Sequence, residues 1–117
     1  MNPVGLASIL IGLCTIALSI PLLIGKIPPN PRYGFRFKRA LENESLWYEV
    51  NRYGAKHFIL WSLFLIAAGF AMAPKGVLPD ANWVDLAWSL FVLLTYLIPT
   101  LMAWRFSKSV KGGGLDR

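Results

Sequence analysis

Charged side chains are scarce in this sequence. Only 15% of its 117 residues are Asp, Glu, Lys or Arg, while 56% are hydrophobic; soluble domains carry roughly 25% charged residues. The first 25 residues contain no charged side chain at all. A soluble core in so short a chain could not bury this much apolar surface, which excludes an ordinary soluble domain and indicates an integral membrane protein.

The residue types that support most catalytic and metal sites are also scarce. Cys14 and His57 are the single cysteine and the single histidine, whereas a metal site normally needs several such ligands. Ser62, Ser89 and Thr95 lie in apolar runs without a neighbouring base, so they are expected to pack against other helices and not to act as nucleophiles. We therefore predict no catalytic residue, no metal, no cofactor and no enzymatic activity.

Three apolar runs are long enough to cross a membrane. They predict spans at about residues 3–25, 56–73 and 86–104 within a single domain over residues 1–117, because a helix rises about 1.5 Å per residue and the hydrocarbon core is roughly 30 Å thick. The first run has no basic segment before it and no clear cleavage site after it, so we expect a span and not a cleaved signal peptide. The second run is short, and its helix is expected to begin earlier, in the Trp47–His57 region.

Basic residues are concentrated in two segments that flank these runs. The segment before the second run contains Lys26, Arg32, Arg36, Lys38, Arg39, Arg52 and Lys56. The segment after the third run contains Arg105, Lys108, Lys111 and Arg117. The connection between the second and third runs carries only Lys75, Asp80 and Asp85. Because cytoplasmic segments carry the excess of Lys and Arg, this asymmetry predicts an external N-terminus and a cytoplasmic C-terminus. It also favours contact with the bilayer and its anionic lipids over binding of nucleic acid.

The loop over residues 26–55 has two parts. The first reads KIPPNPRYGFR, and its prolines are expected to end the first helix and to fold the chain back along the membrane surface. In the second part, Leu46, Val50 and Tyr53 recur at helical spacing, and Asn43 is placed to cap the helix. The sequence therefore predicts an all-α integral membrane protein with three transmembrane helices. A structured cytoplasmic loop and an interfacial helix are predicted between the first and second spans.

This loop also contains the candidate site. Polar side chains at low dielectric need partners, so we expect Asn30, Asn51 and Arg36 to form one network. Two interpretations of that network remain open. It is either a structural clamp between loop and helix or a surface that recognises an anionic lipid headgroup, a peptide or a partner protein. The candidate residues are Lys26, Asn30, Tyr33, Gly34, Arg36, Trp47, Asn51 and Arg52.

The same stretch resembles a known family. GKIPPNPRYGFR is followed by Leu41, Asn43, Trp47, Tyr48, Asn51, Arg52 and Gly54. These residues form a Gly-Lys-Ile-Pro-Pro-Asn element, a Tyr-Gly-Phe-Arg element and a Trp-Tyr-x-x-Asn-Arg element, in that order. This pattern is similar to the signature of the SdpI family of bacterial membrane proteins, and the similarity extends over roughly residues 20–60.

The resemblance implies a role in a bacterial cytoplasmic membrane. The namesake of the family gives a producing bacterium immunity to its own secreted killing peptide and holds a repressor at the membrane when that peptide is present. A peptide toxin or a regulatory protein is therefore an expected partner. The namesake is a longer chain with additional spans before this domain, and Glu42 stands here where the family pattern suits a small hydroxyl residue. The alternative is a small accessory subunit of a larger membrane complex.

Overall fold

The computed structural model describes residues 3–72, 74 and 82–109, and these residues form helices without any strand. The helices are α1 (Pro3–Leu23), α2 (Lys38–Glu42), α3 (Glu44–Met72) and α4 (Asn82–Ser109). The predictions that concern Lys75, Asp80, Lys111 and Arg117 lie outside the described residues. Helices α1, α3 and α4 are each long and apolar enough to cross a membrane. The predicted all-α membrane fold is thus confirmed.

Helix α1 ends through a glycine and not through the prolines that follow it. Gly25 has a φ of 72°, and its N–H donates to the carbonyl of Leu22 at 3.3 Å while the N–H of Lys26 donates to that of Pro21 at 3.0 Å. These two bonds form a Schellman motif, in which a left-handed residue closes the last turn. The prediction that the prolines end this helix is therefore wrong, because the glycine has already turned the chain before the first of them.

Helix α3 runs without interruption from the loop into the second span. It begins at Glu44, one turn before the Trp47–His57 region in which the sequence placed its start. Asn43 caps it as predicted, since its Oδ1 accepts the N–H of Leu46 at 3.2 Å. The first turns of α3 lie in the core, where Leu46 and Val50 are completely buried. The short helix α2 packs against these turns.

Helix α3 is central and packs closely against both other long helices, whereas α1 and α4 meet mainly through side chains such as Thr15 and Tyr96. The contact between α1 and α3 is made by small residues. A Cβ added to Gly12 would lie 2.5 Å from Cγ1 of Ile66, and one added to Gly69 would lie 2.9 Å from the carbonyl oxygen of Gly5. Small residues let two helix backbones approach closely, as is common between helices in a membrane.

The outward faces of the long helices are apolar. Leu18 on α1, Phe64 on α3 and Leu86 on α4 are each about 60% exposed. The molecule is 57 Å long and at most 24 Å wide, so a large share of its surface belongs to these faces. In a bilayer they meet acyl chains and not water, which removes the penalty that such exposure would carry in a soluble protein.

Candidate functional site

Asn51 joins the loop to α3. Its side chain is 1% exposed, its Oδ1 accepts the backbone N–H of Phe35 at 2.6 Å, and its Nδ2 donates to the carbonyl of Trp47 at 2.9 Å. A buried amide must use both its donor and its acceptor groups, and Asn51 uses them to hold an extended piece of loop against the helix. This contact fixes the position of the loop relative to the second span.

Two further side chains of α3 hold the beginning of the loop. The buried indole of Trp47 donates to the carbonyl of Ile27 at 2.8 Å, and Nε of Arg52 donates to the carbonyl of Leu23 at 3.2 Å. The second bond also satisfies a carbonyl at the C-terminus of α1, where a cation is favourable. We call Trp47, Asn51 and Arg52, together with the backbone groups that they hold, the loop latch.

Close packing reinforces the loop latch. Phe35 is 7% exposed, and its ring lies so near to α3 that a Cβ added to Gly54 would be 2.2 Å from its Cε2 atom. Gly34 has a φ of 105°, and a Cβ added there would be 2.6 Å from Oδ1 of Asn51. Both glycines are therefore required by close approach, and Gly34 also by its backbone conformation.

Asn30 organises the turn that precedes this contact. Its Oδ1 accepts the N–H groups of Arg32 at 2.9 Å and Tyr33 at 2.7 Å, and its Nδ2 donates to the carbonyls of Pro28 at 2.9 Å and Tyr33 at 3.1 Å. Such side-chain bonds replace the missing helix or sheet partners of an irregular backbone. The hydroxyl of Tyr33 donates in turn to the carbonyl of Leu18, which ties the turn to α1.

Arg36 lies apart from these polar contacts, contrary to the prediction. Its guanidinium donates to the carbonyl of Pro31, and among the described residues no direct hydrogen bond joins it to Asn30 or Asn51. The reason lies in the neighbouring residue, because Phe35 is buried against Gly54 of α3. Phe35 takes the inner position, so Arg36 is exposed. The predicted single network of Asn30, Asn51 and Arg36 is therefore wrong.

The eight predicted site residues thus divide into two groups. Asn30, Tyr33, Gly34, Trp47, Asn51 and Arg52 hold the loop in place, as described above. Arg52 is exposed but bonds to α1, whereas the other two, Lys26 and Arg36, are exposed and do not belong to the loop latch, and the neighbouring Arg32 is exposed as well. We call Lys26, Arg32 and Arg36 the cationic rim. The candidate residues predicted from the sequence did not include Phe35 and Gly54, although Gly54 lies three residues after Asn51, on the same side of α3.

The C-terminal end of α4 contacts α2 and the first turns of α3. Nη1 of Arg39 donates to the carbonyl of Lys108 at 3.0 Å. The ring of Tyr53 stacks on that of Phe106 with centroids 4.2 Å apart, and the ammonium of Lys108 lies 4.1 Å from the ring centroid of Trp104. These contacts bring the second basic segment to the same end of the molecule as the loop.

No metal site is visible in the part of the chain that the structure describes, where no three His, Cys, Asp or Glu side chains lie close enough to hold an ion. Cys14 is exposed on α1 and is unpaired. The polar side chains around the loop bind backbone groups instead, as Asn30 and Asn51 illustrate. The chemistry that this arrangement offers is hydrogen bonding and charge at its surface.

Three membrane-spanning helices and a loop that is latched onto the second of them define a small multi-pass membrane protein. The model of the SdpI/YfhL protein family matches residues 26–103, and the chain belongs to this family. It is 33% identical over 84 residues to "Uncharacterized protein YfhL" of Bacillus subtilis (strain 168), over 69% of this chain and 68% of that protein. No solved structure matches the chain.

Proposed function

We propose that this protein is a non-enzymatic immunity-type protein of a bacterial cytoplasmic membrane, which binds a membrane-active peptide through the cationic rim of its loop. Membership of the SdpI/YfhL family supports the membrane and immunity role. The binding surface is inferred from the division of the site residues into two groups. The buried side chains of Asn51 and Trp47 use their hydrogen bonds to hold the loop, whereas Lys26, Arg32 and Arg36 are exposed on it.

A latched loop favours recognition for a physical reason. Binding to a mobile segment must offset the entropy of ordering that segment, and a segment that is already fixed avoids this loss. Arg guanidinium groups form paired hydrogen bonds with carboxylates. The expected ligand is therefore a peptide that has inserted into the bilayer and that presents an acidic side chain or its C-terminal carboxylate at the loop.

The proposed orientation places the N-terminus outside and the loop and C-terminus in the cytoplasm. The bond between Arg39 and Lys108 supports it, since it brings the two basic segments to one end of the molecule, and basic segments favour the cytoplasmic side. A Glu42→Cys variant in a Cys14→Ser background should resist an impermeant thiol reagent in intact cells, whereas Asn82→Cys should react. Labelling in the opposite pattern would reverse the orientation.

The immunity role is tested by expressing the chain alone in a sensitive bacterium that is then challenged with membrane-active peptides. We expect increased survival with the wild type and its loss in the double variant Arg32→Gln/Arg36→Gln. The matched control is Lys38→Gln/Lys56→Gln, which removes the same charge from exposed positions outside the cationic rim. Equal protection by both double variants would contradict the role of the rim, and absence of protection by a folded wild type would contradict immunity.

A second candidate function is that of an accessory subunit. Helix α4 contacts α3 along one face and leaves large apolar side chains such as Trp83 and Leu93 more than half exposed. This face offers lateral surface to a neighbouring membrane protein. Purification in a mild detergent separates the two candidates, because a subunit should bring stoichiometric partners with it, whereas an immunity protein that acts alone should not.

A further inference from the structure

A cleft lies among α1, α3, α4 and the loop. It has a volume of about 300 Å³, at the lower end of the range for small-molecule sites. Its wall is formed mainly by apolar and aromatic side chains, and the loop closes one end of it. The residues that define it are Thr15, Leu18, Ser19, Phe35, Phe58 and Tyr96. We call this space the lateral cleft.

A second recess adjoins the lateral cleft at the loop. It has a volume of about 600 Å³ and shares Gly34, Phe35 and Phe58 with the lateral cleft. Arg36 lines this second recess. The two spaces therefore lie next to each other, and across the residues that they share they outline a surface path from the apolar lateral cleft to the guanidinium of Arg36.

We propose that this path binds an anionic phospholipid, with one acyl chain in the lateral cleft and the headgroup phosphate at Arg36. This proposal does not depend on peptide binding or on immunity. It assigns to Arg36 a ligand that is present in the membrane at all times. A peptide that reached the same recess would have to displace this lipid.

The position of the lateral cleft selects an acyl chain as its occupant. Leu18 at its edge is 59% exposed and belongs to the face of α1 that meets the bilayer. Deep in the cleft, the hydroxyls of Thr15 and Tyr96 bond to each other, so they offer little to a polar guest. An apolar space that opens toward hydrocarbon is filled by hydrocarbon, since water would lose its hydrogen bonds there.

Charge selects the headgroup. Arg36 is exposed, and no acidic residue lines either space among the residues that the structure describes. The planar guanidinium matches the oxygens of a phosphate, and the chain as a whole carries a net charge of +6. A phospholipid with a net negative headgroup is therefore favoured over a zwitterionic one with the same acyl chains.

The experiment is native mass spectrometry of the protein released from vesicles of equimolar phosphatidylglycerol and phosphatidylcholine with identical acyl chains. We expect the wild type to retain one phosphatidylglycerol with a preference of about tenfold, because both lipids present a phosphate to Arg36 but only phosphatidylcholine also places a choline cation beside it. Equal retention of both lipids, or a wild type that carries no lipid and pairs with a second copy of itself, would overturn the proposal.

Two substitutions on α1 test whether the acyl chain lies in the lateral cleft. Ser19→Phe fills the lateral cleft from a buried position, whereas Ala17→Phe adds the same ring to an exposed face of α1. The first should reduce lipid retention at least about fivefold and the second should not. Equal retention by the two variants, both still folded, would exclude the cleft.

A charge variant keeps the test decisive if Ser19→Phe fails to fold. Arg36→Gln should abolish the preference for phosphatidylglycerol, whereas Lys38→Gln, which removes the same charge from an exposed position that lines neither space, should retain it. If both variants kept the preference, the phosphate would not lie at Arg36 and the proposal would fail.

Discussion

The loop end and the membrane-crossing part of this helical bundle are held together by different means. At the loop end, Asn51 and Trp47 bond to the backbone of the loop through buried side chains. Along the membrane-crossing part, α1 and α3 meet through small residues such as Gly12 and Ser62. The buried hydroxyl of Ser62 has no hydrogen-bond partner among the described residues, which indicates that its small size and not its polarity serves this contact.

The difference follows from what the backbone needs in each region. A helix satisfies its own backbone groups, so two helices need only to fit closely. The loop satisfies few of its backbone groups internally, and each buried one requires a side-chain partner. Sequence-specific hydrogen bonding is therefore concentrated where the backbone is irregular, and four substitutions are expected to separate the two regions.

The largest effect is expected for Gly54→Ala at the loop end. The added methyl group would lie 2.2 Å from the ring of Phe35, so the ring would have to leave the core. We expect a loss of about 3 kcal/mol in the free energy of unfolding in mild detergent, from overpacking and lost burial. Adding Phe35→Leu should restore part of this loss. An unchanged stability of Gly54→Ala would show that the loop is not packed as described.

Asn51→Ala is expected to have the next largest effect. It leaves the buried N–H of Phe35 without its acceptor, which costs about 1–3 kcal/mol of unfolding free energy. Glu49→Ala, at an exposed position of the same helix, is the control and should change stability by less than about 0.5 kcal/mol. Similar melting temperatures for the two variants would contradict the loop latch.

Gly12→Ala tests the membrane-crossing contact. Its added methyl group would lie 2.5 Å from Cγ1 of Ile66, a side chain whose rearrangement is easier than movement of a buried ring. The gain in helix propensity of about 1 kcal/mol offsets part of the strain, so we expect a net loss of about 1 kcal/mol. A loss as large as that of Gly54→Ala would remove the distinction between the two regions.

The smallest effect on stability is expected for Arg36→Ala. Because this side chain is exposed, its removal should change the free energy of unfolding by less than about 0.5 kcal/mol, as should the control Lys38→Ala. Lipid binding should nevertheless respond, with the preference for phosphatidylglycerol lost in Arg36→Ala and kept in Lys38→Ala. If Arg36→Ala were as destabilising as Asn51→Ala, Arg36 would belong to the latch and not to the rim.

The sequence by itself determined the elements of this protein and its family. Long uncharged runs predict spans because the transfer of each side chain into the bilayer depends mainly on that side chain, and the Asn43 cap depends only on its neighbours in the chain. The end of α1 also depends only on residues that are neighbours in the chain. Gly25 closes the last turn of α1 before the prolines are reached.

Only the tertiary structure decided which polar side chains meet. Asn51 and Arg36 are both polar residues of the same motif, yet one is buried and the other exposed. Their difference depends on the path of the loop across α3, where Phe35 fits over Gly54 and thereby turns Arg36 outward. The lateral cleft is likewise formed by residues of α1, the loop, α3 and α4 together. Both features arise from contacts between residues far apart in the chain, which hydropathy and local spacing do not encode.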